Sequence, residues 1–375
     1  MPHETAPTLI RPPPLDSSKA AIENVLELTQ LTDIDPDLFT NTRPLWHPPG
    51  ARGIYGGAVI AQCLSAAQRT VPNDFSIHSM HCYFVLNGNA EIPIIYHVEH
   101  VREGRSFATR TVQARQRGKP IFTTTMSFMK QGAGGKHRVE HAAHMPYVPV
   151  ANDDDEEELR LPQGIDGPFQ SQRIDIENST SVTEVLQKSP DTSVIDDAPN
   201  PHTKRTRQWI KARGHISAEG GHQAHLSALA YMSDSYFIGT VARVHKLWRM
   251  APGRARNGKP SIDEDVRKKL LDNDEETIKR VTTPSNEIYI EQIRRGEKQR
   301  RPEVGMMVSL DHTIYFHSPR DFRADDWIFT EMESPWAGDG RGVVMQRMFT
   351  KEGRLIATCV QEGVVRLKQP TEEKL

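Results

Sequence analysis

Apolar positions along this chain switch between a helical and a strand period, and they do so twice. From Ala20 the segment AIENVLELTQLTDI spaces its apolar residues at helical intervals. After Gly56 and Gly57, the residues Ala58, Val59, Ala61, Leu64, Ala66 and Ala67 leave few polar faces, which predicts a buried helix. Four strand-like runs follow: SIHSMHCYFVL, IPIIYHVEHVRE, SFATRTVQARQR and, past the turn Gly118-Lys119-Pro120, IFTTTMSFMK. A buried helix followed by consecutive strands predicts an antiparallel sheet packed on that helix, in the α+β class.

The pattern breaks at Gln131. Up to Lys204 the chain is rich in Ser, Thr, Asp and Pro and carries the acid run NDDDEEE, the signature of a linker with at most local structure. Order resumes at QWIKARGHI, and a second pair of glycines, Gly220 and Gly221, precedes another largely apolar helix, HQAHLSALAYMSDSYF. A charged stretch over 251–303 contains SIDEDVRKKLLDNDEETIKRV, whose charge pattern predicts an exposed helix. Beyond it come GMMVSLDHTIYFH, DWIFTEMESPWA, GRGVVMQRMFTKEG and RLIATCVQEGVVRL, four strand-like runs in the earlier order.

Laying Tyr83-Phe84 on Tyr315-Phe316, Gly104-Arg105 on Gly340-Arg341 and Gly118-Lys119 on Gly353-Arg354 aligns the halves with few gaps. The chain reads as an internal duplication. The organisation expected is a disordered start (1–20), a first copy (21–131), a linker (132–204), a second copy (205–368) interrupted at 251–303, and a short tail (369–375).

Composition narrows the function. The 47 basic and 49 acidic residues leave a net charge of −2, which gives no basic field for nucleic acid. Three cysteines without CxxC spacing give neither a disulfide framework nor a zinc cluster, and point to a reducing compartment. No apolar window reaches the length of a membrane span, so a soluble intracellular protein is expected. The last residues, Glu373-Lys374-Leu375, form an imperfect peroxisomal address, leaving peroxisome and cytoplasm both open.

The duplication also singles out chemistry. It sets Gln361 opposite Met126 and Ser309 opposite Ile77, and Asp234 interrupts the apolar helix segment ALAYMSDSYF. A carboxylate beside apolar helix residues is costly unless paired, a cost commonly tolerated where a base is needed. A local turn cap explains Asp234 equally well. Ser309 and His312 invite a serine–histidine reading, but residues three apart on a regular strand project to opposite faces, and the chain has no GxSxG elbow. The same alternation puts Asp311 on the face of Ser309, as a rival base. His78, His81 and His312 are read as structural, HRVEHAAH (137–144) as solvated rather than metal-binding, and GAGGKH as an incomplete phosphate loop. Arg102, Arg105, Lys119 and Arg341 are read as exposed strand-end charges rather than phosphate contacts.

These residues resemble a known family. IYGGAVIAQCLSAAQRTVP, HSMHCYF, REGRSFATRTVQARQRGKPIF and TTTMSFMK look like the first half of the TesB-like acyl-CoA thioesterase II family. QWIKARG, AYMSD, SLDHTIYFH and VQEGVVR resemble its second half. The likeness covers both ordered halves and neither the linker, the 251–303 insertion nor the proline-rich start.

It implies a double hotdog fold, in which each copy wraps an antiparallel sheet around a central helix. It also implies hydrolysis of fatty acyl-CoA by a water that Asp234, Ser309 and Gln361 activate, without metal or cofactor. The hydroxyl position varies within that family, and here it is a serine. An oxyanion would be held by a backbone N–H of either glycine pair, and direct attack by Asp234 to form an anhydride remains the competing route. Assembly through the sheets is a further expectation. Two other readings stand beside the hydrolase: a non-catalytic acyl-CoA-binding scaffold, which would be expected to lack one of the three residues, and an enoyl-CoA hydratase, which would pair an aspartate with a nearby histidine. Here Ser235-Tyr236 follow Asp234.

Overall fold

A computed structural model describes residues 12–45, 53–151, 167–174, 200–245, 247, 264–281, 294 and 304–369. The first copy contributes helix α1 (Ala21–Leu26), strands β1 (Leu28–Gln30) and β2 (Leu38–Asn41), helix α2 (Gly56–Gln68), and strands β3 (Phe75–Phe84), β4 (Ile95–Glu103), β5 (Phe107–Gln116) and β6 (Lys119–Lys130). The acidic-polar stretch supplies β7 (Phe169–Arg173). Then come β8 (Arg205–Ala212), helices α3 (Gly221–Ser233), α4 (Gly239–Val244), α5 (Glu264–Leu271) and α6 (Glu275–Val281), and strands β9 (Val304–Ser309), β10 (Asp311–Phe316), β11 (Ile328–Gly338), β12 (Arg341–Thr350) and β13 (Leu355–Leu367).

All the described strands join one antiparallel sheet in the order β1-β2-β4-β5-β6-β3-β10-β13-β12-β11-β8-β7, with β9 added against β13. The order is a palindrome about the β3–β10 junction: β3 answers β10, β6 answers β13, β5 answers β12, β4 answers β11 and β2 answers β8. His81 pairs directly with Thr313, 232 positions on, which is the offset that lays Tyr83 on Tyr315. A pseudo-twofold axis therefore runs through that pair. The fold is a double hotdog of the α+β class, as the resemblance implied.

Inside the sheet, α2 and α3 lie side by side and antiparallel, since the start of α2 meets the end of α3 (Gly57 N–H to Asp234) and its end meets Ser227. Their apolar faces join the inward strand residues in a core that spans both copies. Burying residues such as Ile60 and Leu64 contributes about 1.5–3 kcal/mol each. The helices cross closely because Gly57 has no side chain: a Cβ there would lie 2.2 Å from the Tyr231 carbonyl oxygen.

In the charged insertion the single helix expected from the charge pattern is two. Asn273 adopts a left-handed φ of 56° and ends α5, and the Asp274 side chain accepts from Thr277 N–H to start α6. Leu270 of α5 is fully buried, so this stretch is not wholly exposed.

Candidate active site

The strands that carry the candidate residues do not alternate regularly. Ser309 pairs with Gly363, yet Thr313 pairs with Val360, so Leu310 and Asp311 together oppose Glu362. Leu310 N–H donates to the Glu362 carbonyl, while Glu362 N–H donates to the Asp311 carboxylate at 2.8 Å. This is a β-bulge, and it reverses the parity of β10 relative to β9. Ser309, His312 and Gln361 consequently share the inner face. The regular-strand expectation that Ser309 and His312 face apart, and that Asp311 shares the face of Ser309, is overturned for this reason. β3 shows a register shift at the corresponding place, between Ile77 and Ser79, so the bulge belongs to both copies.

Asp234 is the C-cap of α3 and is half-buried. Its Oδ1 accepts from Gln361 Nε2 at 2.8 Å, and its Oδ2 accepts from Gly57 N–H, in the first turn of α2, at 2.9 Å. Burial pushes its carboxyl up to about 6, against the opposing pull of the Gln361 and Gly57 donors. A carboxyl so placed is ionised near neutral pH yet basic enough to take a proton. The Tyr55 hydroxyl donates to the Tyr231 carbonyl at 3.0 Å, packing that ring against Tyr231 behind the site.

Gln361 is fully buried on β13. Its Nε2 also lies 3.2 Å from His312 Nδ1, while its Oε1 has no hydrogen-bond partner among the described residues. Buried polar atoms are rarely left unsatisfied, and each that is costs about 1–3 kcal/mol. His312 is also fully buried, and burial lowers its pKa to about 3, so the ring is neutral. Its Nε2 lies 3.0 Å from Ser233 Oγ, and Phe237 packs edge-on against it at 5.4 Å between centroids.

Of the three candidates, Asp234 and Gln361 are joined directly. Ser309 stands on the same face, opposite Gly363 and diagonal to Gln361, with no side-chain hydrogen bond to either among the described residues. Both ring nitrogens of His312 are occupied by Gln361 and Ser233, so no serine–histidine dyad forms with Ser309. Asp311 is held by the β13 backbone. His78 bonds Ser127, and His81 lies exposed against Tyr315. His137, His141 and His144 are exposed, and Arg341 pairs with Glu362 at 2.7 Å. Only the α2 glycines meet Asp234; Gly221 N–H closes a turn onto Ala218 at the other end of α3.

Sequence reasoning missed Ser233, read His312 as structural only, and offered the Gly57 N–H to an oxyanion where the structure gives it to Asp234. One signal was available: the offset that set Ser309 over Ile77 also lays His312 over Met80.

The palindromic sheet around two paired helices, with a carboxylate and a buried glutamine joined where the helices meet, defines a double-hotdog protein of the α+β class. Similarity to known proteins makes this particular. Residues 43–129 match the acyl-CoA thioesterase N-terminal domain and residues 151–365 the acyl-CoA thioesterase C-terminal domain. The human acyl-coenzyme A thioesterase 8 is 32% identical over 370 residues, covering 97% of this chain and 94% of the relative. The Saccharomyces cerevisiae peroxisomal acyl-coenzyme A thioester hydrolase 1 is 24% identical, covering 94% of this chain and 97% of the relative. Among solved structures, acyl-CoA thioesterase II TesB2 from Mycobacterium marinum superimposes with a TM-score of 0.58 at 25% identity, covering 94% of this chain and 99% of the other. The chain belongs to the TesB-like acyl-CoA thioesterase II family and is a thioester hydrolase. Among the described residues, no helix is long and apolar enough to cross a membrane.

Proposed function

We propose that the protein hydrolyses fatty acyl-CoA to free fatty acid and coenzyme A, with Asp234 as general base. The observation that carries this reading is the joined Asp234–Gln361 pair, in which the amide nitrogen holds a carboxylate whose pKa is raised to about 6 and Oε1, closed to solvent in this structure, has no partner among the described residues. A water admitted as the site opens to substrate, donating one hydrogen to Gln361 Oε1, presents its other to Asp234. The base takes that proton as the water oxygen bonds to the thioester carbon, and collapse of the tetrahedral adduct breaks the C–S bond and releases coenzyme A thiolate. Gln361 cannot titrate, so it orients. Ser309, on the same face, offers a hydroxyl to the substrate side of that water. The positive end of α2 favours the negative charge developing at the carbonyl.

Both oxygens of Asp234 already accept hydrogen bonds, which favours proton acceptance over direct attack. The second copy (205–368) carries the chemistry in this account, the first (21–131) completes the site through Gly57, 132–204 joins the copies and lends β7 to the sheet edge beside β8, and 251–303 is an insertion. The likeness to the yeast peroxisomal thioester hydrolase supports a peroxisomal location, to be checked by imaging the protein with and without its C-terminal tripeptide, which lies outside the described residues.

Thiol release from acyl-CoAs of graded chain length, in wild type and in folded Asp234→Ala, tests the reaction. We expect turnover in the first and a loss of about 10²–10⁴ in the second. Equal turnover in both would remove Asp234 from the mechanism.

A further inference from the structure

We propose that His312 and Ser233 are positioning residues that fix which end of the Gln361 amide faces the attacking water, an inference that rests on the role given to Gln361 above. An amide side chain fits its pocket in two orientations, and only one leaves Oε1 free to accept from water. The choice is made at the far end of a buried chain. The Ala230 carbonyl can only accept, so Ser233 Oγ donates to it, at 2.9 Å. With its hydrogen committed there, Ser233 Oγ accepts from His312 Nε2–H at 3.0 Å.

A neutral ring protonated at Nε2 has a bare Nδ1, which accepts from the Gln361 amide nitrogen at 3.2 Å. The second hydrogen of that nitrogen goes to Asp234 Oδ1 at 2.8 Å. Turning the amide over would set Oε1 against two acceptors, the imidazole nitrogen and the carboxylate. The chain from a helix carbonyl to the base therefore has one polarity, and it leaves Oε1 pointing away from both. Ring neutrality is essential: an imidazolium would donate from Nδ1 and invite the flipped amide. Complete burial of His312 against Phe237 keeps it neutral.

The first copy shows the pair changing as a unit. Met80 and Met126 are directly paired there, both fully buried, where the second copy has His312 beside Gln361. Packing alone is met by two methionines on the same backbone, so the imidazole is not required by the fold.

The test is a double-mutant cycle on the full chain, read as thiol release with melting temperature monitored. His312→Met should lower kcat by about 10–100-fold with KM within about twofold, because orientation is lost while the substrate surface stays. His312→Asn, whose side-chain oxygen can replace Nδ1 as acceptor, should return kcat to within about fivefold of wild type. Ser233→Ala, which frees the tautomer, should lower kcat about 3–10-fold.

In a Gln361→Ala background each of these changes should produce no further loss, since the residues act through that amide. The acid limb of the His312→Met pH profile should also move up from about 6, because without the imidazole acceptor the Gln361 donor is held less firmly on Asp234, while Gly57 N–H in front and Tyr55 and Tyr231 behind stay in place. Wild-type kcat in folded His312→Met, or an equal loss in the Gln361→Ala background, overturns the inference alone. Wild-type kcat in Gln361→Ala overturns the water-orienting role itself. If His312→Met does not fold, Ser233→Ala measured against Gln361→Ala decides the same question.

Discussion

The two copies share a backbone down to its bulge, yet one holds Asp234, Ser309, His312 and Gln361 where the other holds Arg69, Ile77, Met80 and Met126. Met80 and Met126 are fully buried, and Arg69 turns away to bond the Leu28 carbonyl. The hotdog backbone therefore does not make chemistry by itself. It supplies two equivalent crossings of helix end and strand pair, and in the proposed mechanism the residue types decide which crossing reacts. The first copy's crossing is tied to the second, because the Gly57 N–H that Asp234 accepts comes from the first copy's helix.

The difference between the copies is greatest at the base. Asp234→Asn keeps the volume but removes proton acceptance, and kcat should fall by about 10³–10⁴ while acyl-CoA binding persists; calorimetry alongside thiol release measures both. A smaller effect is expected from grafting the polar pair into the first copy. Met80→His with Met126→Gln should destabilise the protein by about 2–4 kcal/mol in urea unfolding, since Arg69 and Ile77 offer that pair no carboxylate or hydroxyl, and it should add no turnover.

The pH dependence separates the copies next. Asp234 must be ionised to act, so kcat/KM should be flat above about 6 and fall about tenfold per unit below it, a limb that no residue of the first copy produces. The raised pKa has the opposite sign for stability: the ionised carboxyl is unfavourable to the fold above about 6, and protonation relieves this progressively as pH falls toward 3.8. The smallest effect belongs to Ser309→Ala. With no bond to Asp234 or Gln361 among the described residues, Ser309 should cost about 3–10-fold in kcat, measured at saturating substrate.

Much of this was legible in the sequence because duplication turns one chain into its own control. The helix–strand order could be read from apolar spacing, and the offset that pairs His81 with Thr313 from the repeated Tyr-Phe and glycine positions. Asp234 and Gln361 stood out as polar intrusions into apolar patterns. The bulge did not, since Leu310 and Asp311 carry no glycine to mark it, and without it strand alternation sends Ser309 and His312 to opposite faces. The contact of Gly57 with Asp234 spans 177 positions and arises from helix crossing, which local pattern cannot encode. The break between α5 and α6 rests on one left-handed asparagine, a conformation that residue tolerates but does not announce.

In the proposed mechanism, two copies of one backbone differ in chemistry because of a few polar residues. Thiol release by His312→Met/Gln361→Met probes this at its root, because the double change gives the second copy the first copy's residues at those positions. We expect a folded protein that melts no lower than wild type, binds acyl-CoA with unchanged affinity and turns it over at least about 10²-fold more slowly. Turnover within tenfold of wild type in that folded variant would refute the assignment of the chemistry to these residues.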